Sequence, residues 1–320
     1  MLRRRVSLAL LALCMAASGC GSANSNLAPA AKVSDFPAAT GKRLRALVAG
    51  LPQNGPIFAA SVSVLRVGSN RVGFALFDVS RKQITTAEAA LYVTDGAGRT
   101  VTGGPYPAHE ESLSVAPAFQ SQTVASDPNA AHSVYVAQVP IPRAGRWQLV
   151  ALVRVGGRLE FAGGTALLAG ESGTPPDVGQ PAIPIHTPTV AQVGLANAST
   201  IDTRLPAAPE LETVDFASVL GHKPVVLLFA TPQLCVSRVC GPVTDIEDQV
   251  RSETGNRVAF IHMEIYNRNT VTAGFRPQVL AWRLPTEPWL FAINSQGRIV
   301  ERFEGAYSVA ELRAAVQRLQ

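Results

Sequence analysis

At 320 residues the chain is long enough for about two domains. Its 47% apolar content is ordinary for a globular protein and excludes a polytopic membrane protein, and a 6% aromatic share beside plentiful Ala, Val, Gly and Pro suits β-rich modules joined by loops. The formal charge is +5, of which Arg3, Arg4 and Arg5 supply three, so residues 20–320 carry only +2; no basic cluster among them predicts a nucleic-acid partner.

The first predicted element is a targeting segment. Arg3 to Arg5 form a positive start, and Val6 to Ala17 form an apolar stretch too short to cross a bilayer as a mature helix. The stretch ends in Ala17-Ser18-Gly19-Cys20, and small residues closing on a Cys resemble the lipobox of bacterial lipoproteins. The resemblance implies a signal peptide over residues 1–19, cleavage before Cys20, acyl chains on Cys20, and residence on the extracytoplasmic face of the cell membrane. Cys14 leaves with the signal, so Cys235 and Cys240 are the thiols that remain, in a compartment where such a pair tends toward a disulfide. Residues 20–54 begin small, polar and Pro-containing, the composition of a flexible tether.

From 55 to 170 the pattern is β. ASVSVLRV and NRVGFALFDV are separated by a turn, Asp95-Gly96 is a hairpin dipeptide, and SVYVAQVPI, GRWQLVALVRV and RLEFAGGTALLAG continue the series. About six or seven strands without helical period predict an antiparallel sandwich. The stretch VYVAQVPIPRAGRWQLVALV resembles the closing strands of immunoglobulin-like extracytoplasmic modules, which makes Trp147 a core anchor. His109 and His132 fall in loop-like stretches and read as surface histidines.

Residues 171–204, with Pro175, Pro176, Pro181, Pro184 and Pro188, read as an extended linker. Val178-Gly179-Gln180-Pro181-Ala182 also resembles the opening of redoxin domains, so the second domain begins near 178 or at 205. From 205 to 320 strand and helix alternate. PVVLLF (224–229) is a doubly buried strand, VTDIEDQVRSETG a helix, and RVAFIHMEIYN a second strand. PWLFAINSQGRIVERFEG is a hairpin and SVAELRAAVQRLQ an amphipathic closing helix. That order is similar to a thioredoxin fold. The predicted architecture is therefore multidomain, an N-terminal all-β immunoglobulin-like sandwich followed by a C-terminal α/β thioredoxin-like fold.

The chemistry concentrates in ATPQLCVSRVCGPV (230–243). Thr231-Pro232, Cys235, Cys240 and Gly241 resemble the Thr-Pro-x-Cys-x4-Cys-Gly motif of the peroxiredoxin Q group, whose first Cys attacks and whose second resolves. In thioredoxin-like proteins the reactive Cys lies between a buried strand and the next helix, where backbone N–H groups and the helix dipole stabilise thiolate. Thr286-Glu287-Pro288-Trp289 resembles the family's cis-proline segment, and the resemblance implies that Pro288 and Trp289, with Thr231 and Pro232, dock the substrate. Pro285 competes for that role. Pro232 and Pro288 stand where a peroxidase needs a Thr or Ser and an Arg, and Arg238 supplies charge without that geometry, so thiol–disulfide exchange is favoured over peroxide reduction. Distance from the strand favours Cys235 as nucleophile; Cys240-Gly241-Pro242 echoes the thioredoxin tripeptide and favours Cys240.

A continuous helix over 235–240 would hold the two Cα atoms roughly 8–9 Å apart, beyond the ~7 Å reach of a disulfide, so bridging needs non-helical backbone there. The predicted function is a membrane-anchored, extracytoplasmic thiol–disulfide oxidoreductase. It needs no cofactor, and its partners are envelope protein thiols and disulfides and a reducing partner. The alternatives are a non-enzymatic binding lipoprotein with a structural disulfide, a peroxidase, or copper delivery with His262 as a distant ligand. Strand alternation places His262 beside Val258, Phe260 and Glu264, favouring a buried structural histidine, with Glu264 a proton relay to a buried thiol.

Overall fold

The computed structural model describes residues 27, 30–52, 54–171 and 173–319. The targeting segment 1–19 and Cys20 lie outside them. Eight strands come first: β1 (Ile57–Ala60), β2 (Val64–Leu65), β3 (Gly68–Phe77), β4 (Glu88–Asp95), β5 (Val101–Ser112), β6 (Ser133–Ile141), β7 (Gly145–Val155) and β8 (Arg158–Ala169). They form one sheet in the order β1-β3-β6-β5-β4-β7-β8-β2. The long β5 makes the sheet curl. Its first part pairs with β4 and its last residues, Ala108–Ser112, pair with β6, so one strand runs through both walls.

Alternating side chains fill the space between the walls. Phe74 stacks on Tyr135 with ring centroids 5.4 Å apart and tilts against Phe58 at 5.3 Å. Trp147 joins this core, its Nε1 donating to the Arg143 carbonyl at 3.0 Å. The opposite face of β4 and β7 offers Ala90, Tyr92, Val150 and Leu152, and these are covered by Phe36, Ala39 and Leu47. Three apolar side chains in the stretch expected to be a tether are enough to fold its described part onto the sheet.

The second sheet contains β9 (Val225–Phe229), β10 (Ala259–Met263), β11 (Trp289–Ile293) and β12 (Ile299–Glu304), ordered β10-β9-β11-β12. β9 and β10 are parallel, whereas β11 runs antiparallel to both its neighbours. Every residue of β9, β10 and β11 is buried, as their unbroken apolar sequences require. On one face Val226, Leu228, Phe260 and Leu290 pack against two helices, α1 (Cys240–Thr254) and α2 (Val309–Gln317), through Val243, Ile246, Leu312 and Val316. Leu113, Val134 and Val136 of the first sheet region belong to the same cluster, so the curled sheet closes over this helical layer. On the other face Leu227, Phe229 and Phe291 meet Trp282, Phe216 and Val279. Polar links reinforce the junction: Glu304 accepts from the Ser63 N–H at 2.7 Å and the Val64 N–H at 3.2 Å, and Arg71 meets Glu311 at 2.6 Å.

The expected pairing of an immunoglobulin-like sandwich with an α/β thioredoxin-like fold does not form. The chain is mostly β and only 24% helical, with one curled eight-stranded sheet and one four-stranded sheet. Two physical reasons stand out. β5 is long enough to serve both walls of the first sheet, so the walls are one continuous sheet. Between β10 and β11 the chain makes only short helical turns at Asn267–Asn269, Val271–Ala273 and Pro277–Ala281. Gly274, at φ +74°, and Pro277 interrupt any longer helix there.

The Pro-rich segment is no free linker either. The Gly179 N–H donates to the Ile299 carbonyl at 2.8 Å, the Ile299 N–H to that of Gln180 at 3.0 Å, and the Ala182 N–H to that of Gly297 at 2.9 Å. Farther along, Asp202, Thr203 and Arg204 are buried. His109 is also placed differently from expectation: it lies in β5, with Nε2 3.1 Å from Glu111.

Candidate functional site

Between β9 and α1 the chain runs through Ala230 and a non-helical loop, 231–239, before Cys240 opens α1. Pro242 sits in the first turn of α1, where its missing N–H costs no helical bond. Arg238, at φ +60°, turns the backbone just ahead of the helix start. Cys235 is 4% exposed and Cys240 is fully buried, and both are free thiols.

The two thiols are in opposite electrostatic situations. Hydrogen bonding by the Cys240 side chain is the largest influence on the Cys235 thiol, which is drawn down to about 6 against the opposing effect of burial. The Ser237 hydroxyl, 3.2 Å away, and the backbone N–H groups of Cys240 and Val239 add to the effect. These N–H groups stand at the start of α1, where helix geometry leaves donors without intrahelical partners. Burial pushes the Cys240 thiol well up, and donation to Cys235 pushes it further. The two shifts run in opposite directions, which makes Cys235 the more acidic thiol of the pair.

Glu287 is the acid beside this pair. Burial raises its carboxyl to about 7, the nearby Cys235 charge raises it further, and a hydrogen bond with Tyr266 opposes both. It precedes Pro288, and the Glu287–Pro288 peptide is cis. Pro288 carries the family-like motif and Glu287 does not; the signal for Glu287 is a carboxylate flanking the proline segment opposite a cysteine loop.

Other expected site residues are placed as follows. Thr231 and Pro232 are buried under the loop, with the Thr231 N–H directed at the Cys240 sulfur. Pro288 is buried, and Trp289 is 1% exposed, stacked 5.8 Å from Phe291 with its Nε1 donating to Thr286 Oγ1 at 3.1 Å. Trp289 thus belongs to the core and offers a partner no surface. The apolar side chain that does face outward is Val236, 89% exposed and adjacent to Cys235. Arg238 turns its guanidinium to Asp127 at 3.1 Å, away from the sulfur atoms.

Glu264 Oε1 accepts from the Thr203 N–H at 2.7 Å, and its carboxylate groups with Asp202 and His262. His262 is fully buried, with Nδ1 3.1 Å from Glu212 Oε1 and Nε2 3.1 Å from the Ala230 carbonyl. Burial alone would lower its pKa, but Glu212, Asp202 and Glu264 together raise it to about 10.

The first sheet walls one side of the site. Ser121 donates to Asp245 from its N–H at 2.9 Å and its hydroxyl at 3.0 Å, and Arg204 Nε meets the other Asp245 oxygen at 2.9 Å. The short helix Gln122–Ala125 lies close enough that a Cβ on Gly241 would stand 3.0 Å from Val124 Cγ2. Comparison with known protein families finds none that matches the chain, and comparison with curated proteins finds no match.

Proposed function

We propose that this protein is a thiol–disulfide oxidoreductase of the cell envelope, held to the membrane by lipid on Cys20, with Cys235 as nucleophile and Cys240 as resolving thiol. The observation that supports it is the opposed protonation of two neighbouring cysteines, one drawn down to about 6 and the other pushed well up. A structural bridge needs no such difference. Thiolate is the attacking species, and a midpoint near ambient pH balances thiolate fraction against nucleophilicity.

The Cys235 thiolate attacks one sulfur of a substrate disulfide, forming a mixed disulfide and expelling the other sulfur as thiolate. Cys240 then loses its proton, with Glu287 as the nearby acceptor, and attacks Cys235 Sγ. The second substrate thiolate leaves, Cys235–Cys240 is oxidised by two electrons, and the substrate is reduced by two. A dithiol partner in the envelope returns the pair to its reduced state. Val236 is the apolar contact offered to an incoming chain.

The copper-delivery alternative has less support, because the fully buried His262 directs Nδ1 to Glu212 and Asp202 and groups with carboxylates rather than with the two cysteines. The deciding experiment is the reduction potential of the Cys235–Cys240 pair, read by thiol trapping across a dithiol series. A stabilised thiolate favours the reduced state, so the expected value lies between about −120 and −270 mV. A value below about −300 mV indicates a structural bridge and a binding role for the protein.

A further inference from the structure

Away from the thiols, four acidic side chains surround one histidine in the interior. Asp202 and Glu212 come from the segment ahead of β9, His262 and Glu264 from β10 and the residue just beyond it, and Glu247 from α1. All five are at most 1% exposed. His262 Nδ1 lies 3.1 Å from Glu212 Oε1 and 3.7 Å from Asp202 Oδ1, and one ligand atom each from Asp202, His262 and Glu264 lie within 4.8 Å of one another.

The backbone holds these groups in place. Nε2 of His262 donates to the Ala230 carbonyl, which turns Nδ1 toward the carboxylates, as the outer nitrogen of a metal-bound imidazole is usually anchored. Asp202 accepts from the N–H groups of Arg204 at 2.8 Å and Ala208 at 2.7 Å, and Glu264 Oε1 from that of Thr203. Among the described residues, Glu264 Oε2 and Glu212 Oε2 have no hydrogen-bond partner, nor does either oxygen of Glu247. Bare carboxylate oxygens in a dry interior are costly unless a proton or a cation meets them.

We propose that Asp202, His262 and Glu264 bind a divalent transition-metal cation, with Zn²⁺ the best match, through His262 Nδ1 and one oxygen from each carboxylate, while Glu212, 3.1 Å from that nitrogen, stands beside the site to complete the set. Imidazole with carboxylates is a ligand set suited to such ions, and thiolate is not required. Tetrahedral ligands about 2.0–2.2 Å from one ion stand roughly 3.3–3.6 Å apart, so the ligand atoms of Asp202, His262 and Glu264, now within 4.8 Å of one another, would close by up to about 1.5 Å. The ion would join β10 to the 202–212 segment and, through Ala230, brace the base of the cysteine loop. The site is independent of the thiol chemistry.

The test uses the full chain carrying Cys235→Ser and Cys240→Ser, so that sulfur cannot be the ligand. It is expressed with zinc supplementation and then with cobalt. The expected result is close to one zinc per chain, and for the cobalt form visible absorption without a sulfur charge-transfer band. Adding Glu264→Gln should reduce metal content at least tenfold, as should His262→Gln. Zinc content near zero in the parent, or full content in a folded Glu264→Gln chain, overturns the proposal. Should both variants fail to fold, X-ray absorption of the zinc-loaded parent decides: one imidazole with carboxylate oxygens supports the site, and an all-oxygen or water shell overturns it.

Discussion

Replacing Cys240 with Ala removes the hydrogen bond that does most to hold the Cys235 thiol low, while Ser237 and the backbone N–H groups stay. A hydrogen bond to a charged group is worth about 1.5–3 kcal/mol and each tenfold change in ionisation about 1.4 kcal/mol, so the midpoint should climb from about 6 to between about 7 and 8. At pH 6 the thiolate fraction then falls from about half to about a tenth or less. The assay is the rate of iodoacetamide alkylation of the reduced chain against pH, with mass spectrometry assigning the label and ultraviolet thiolate absorbance as a second readout. Cys240→Ser keeps a donor at the same place and should stay closer to the parent. A Cys240→Ala midpoint within a few tenths of the parent's would mean that Cys240 does not hold the Cys235 thiol low, and a parent midpoint at the ordinary cysteine value of about 8.5 would mean that nothing does.

The depressed Cys235 pKa also makes folding pH-dependent: the thiolate's contribution is complete above about 8.5 and is lost as pH falls through about 6, so the urea midpoint of the reduced protein should gain on that of Cys235→Ser across this window. Glu287→Gln should abolish an inflection at or below about pH 7 in the resolution of a trapped mixed disulfide, where the Cys235 charge that helps raise this carboxyl is gone, measured by rapid quench; an unchanged profile would remove Glu287 from the mechanism. Arg204→Met strips a buried Asp245 of its guanidinium and should cost about 3–5 kcal/mol in urea denaturation, whereas a loss below 1 kcal/mol would mean that Asp245 is relieved by protonation. Gly241→Ala gains helix propensity but crowds Val124 Cγ2 at 3.0 Å, so the net change should stay within about 1 kcal/mol, and Val124→Ala should turn it stabilising in a double-mutant cycle.

Individual elements were more legible in the sequence than their assembly. PVVLLF contains β9 because its apolar run has no polar face to expose, and Ser308 with Glu311 marks the start of α2 as a capping box. Layer architecture is set by contacts that no local pattern carries. Nothing in β5 announces that it will pair with β4 at one end and β6 at the other, and the two adjacent walls therefore read as a separate sandwich.

The cysteine spacing located the thiols, and the start of α1 at Cys240 explains their inequality. Glu287 and Val236 escaped notice because their importance comes from what lies across space, a thiolate for one and open solvent for the other. Trp289 misled in the opposite direction: beside a proline in a family-like segment it suggested a surface, but Phe291 and Thr286 draw its ring inward.

The three hydrogen bonds between residues 179–182 and the 297–299 stretch leading into β12 have a consequence for life among many copies. An open outer strand presents unpaired donors and acceptors that invite a neighbouring molecule to extend the sheet, and proteins crowded onto a surface meet such neighbours constantly. Here the chain supplies its own short mate for that margin. Loosening residues 179–181 alone, so that these bonds are lost while the buried 202–204 stretch stays, should therefore favour ribbon-like self-assembly.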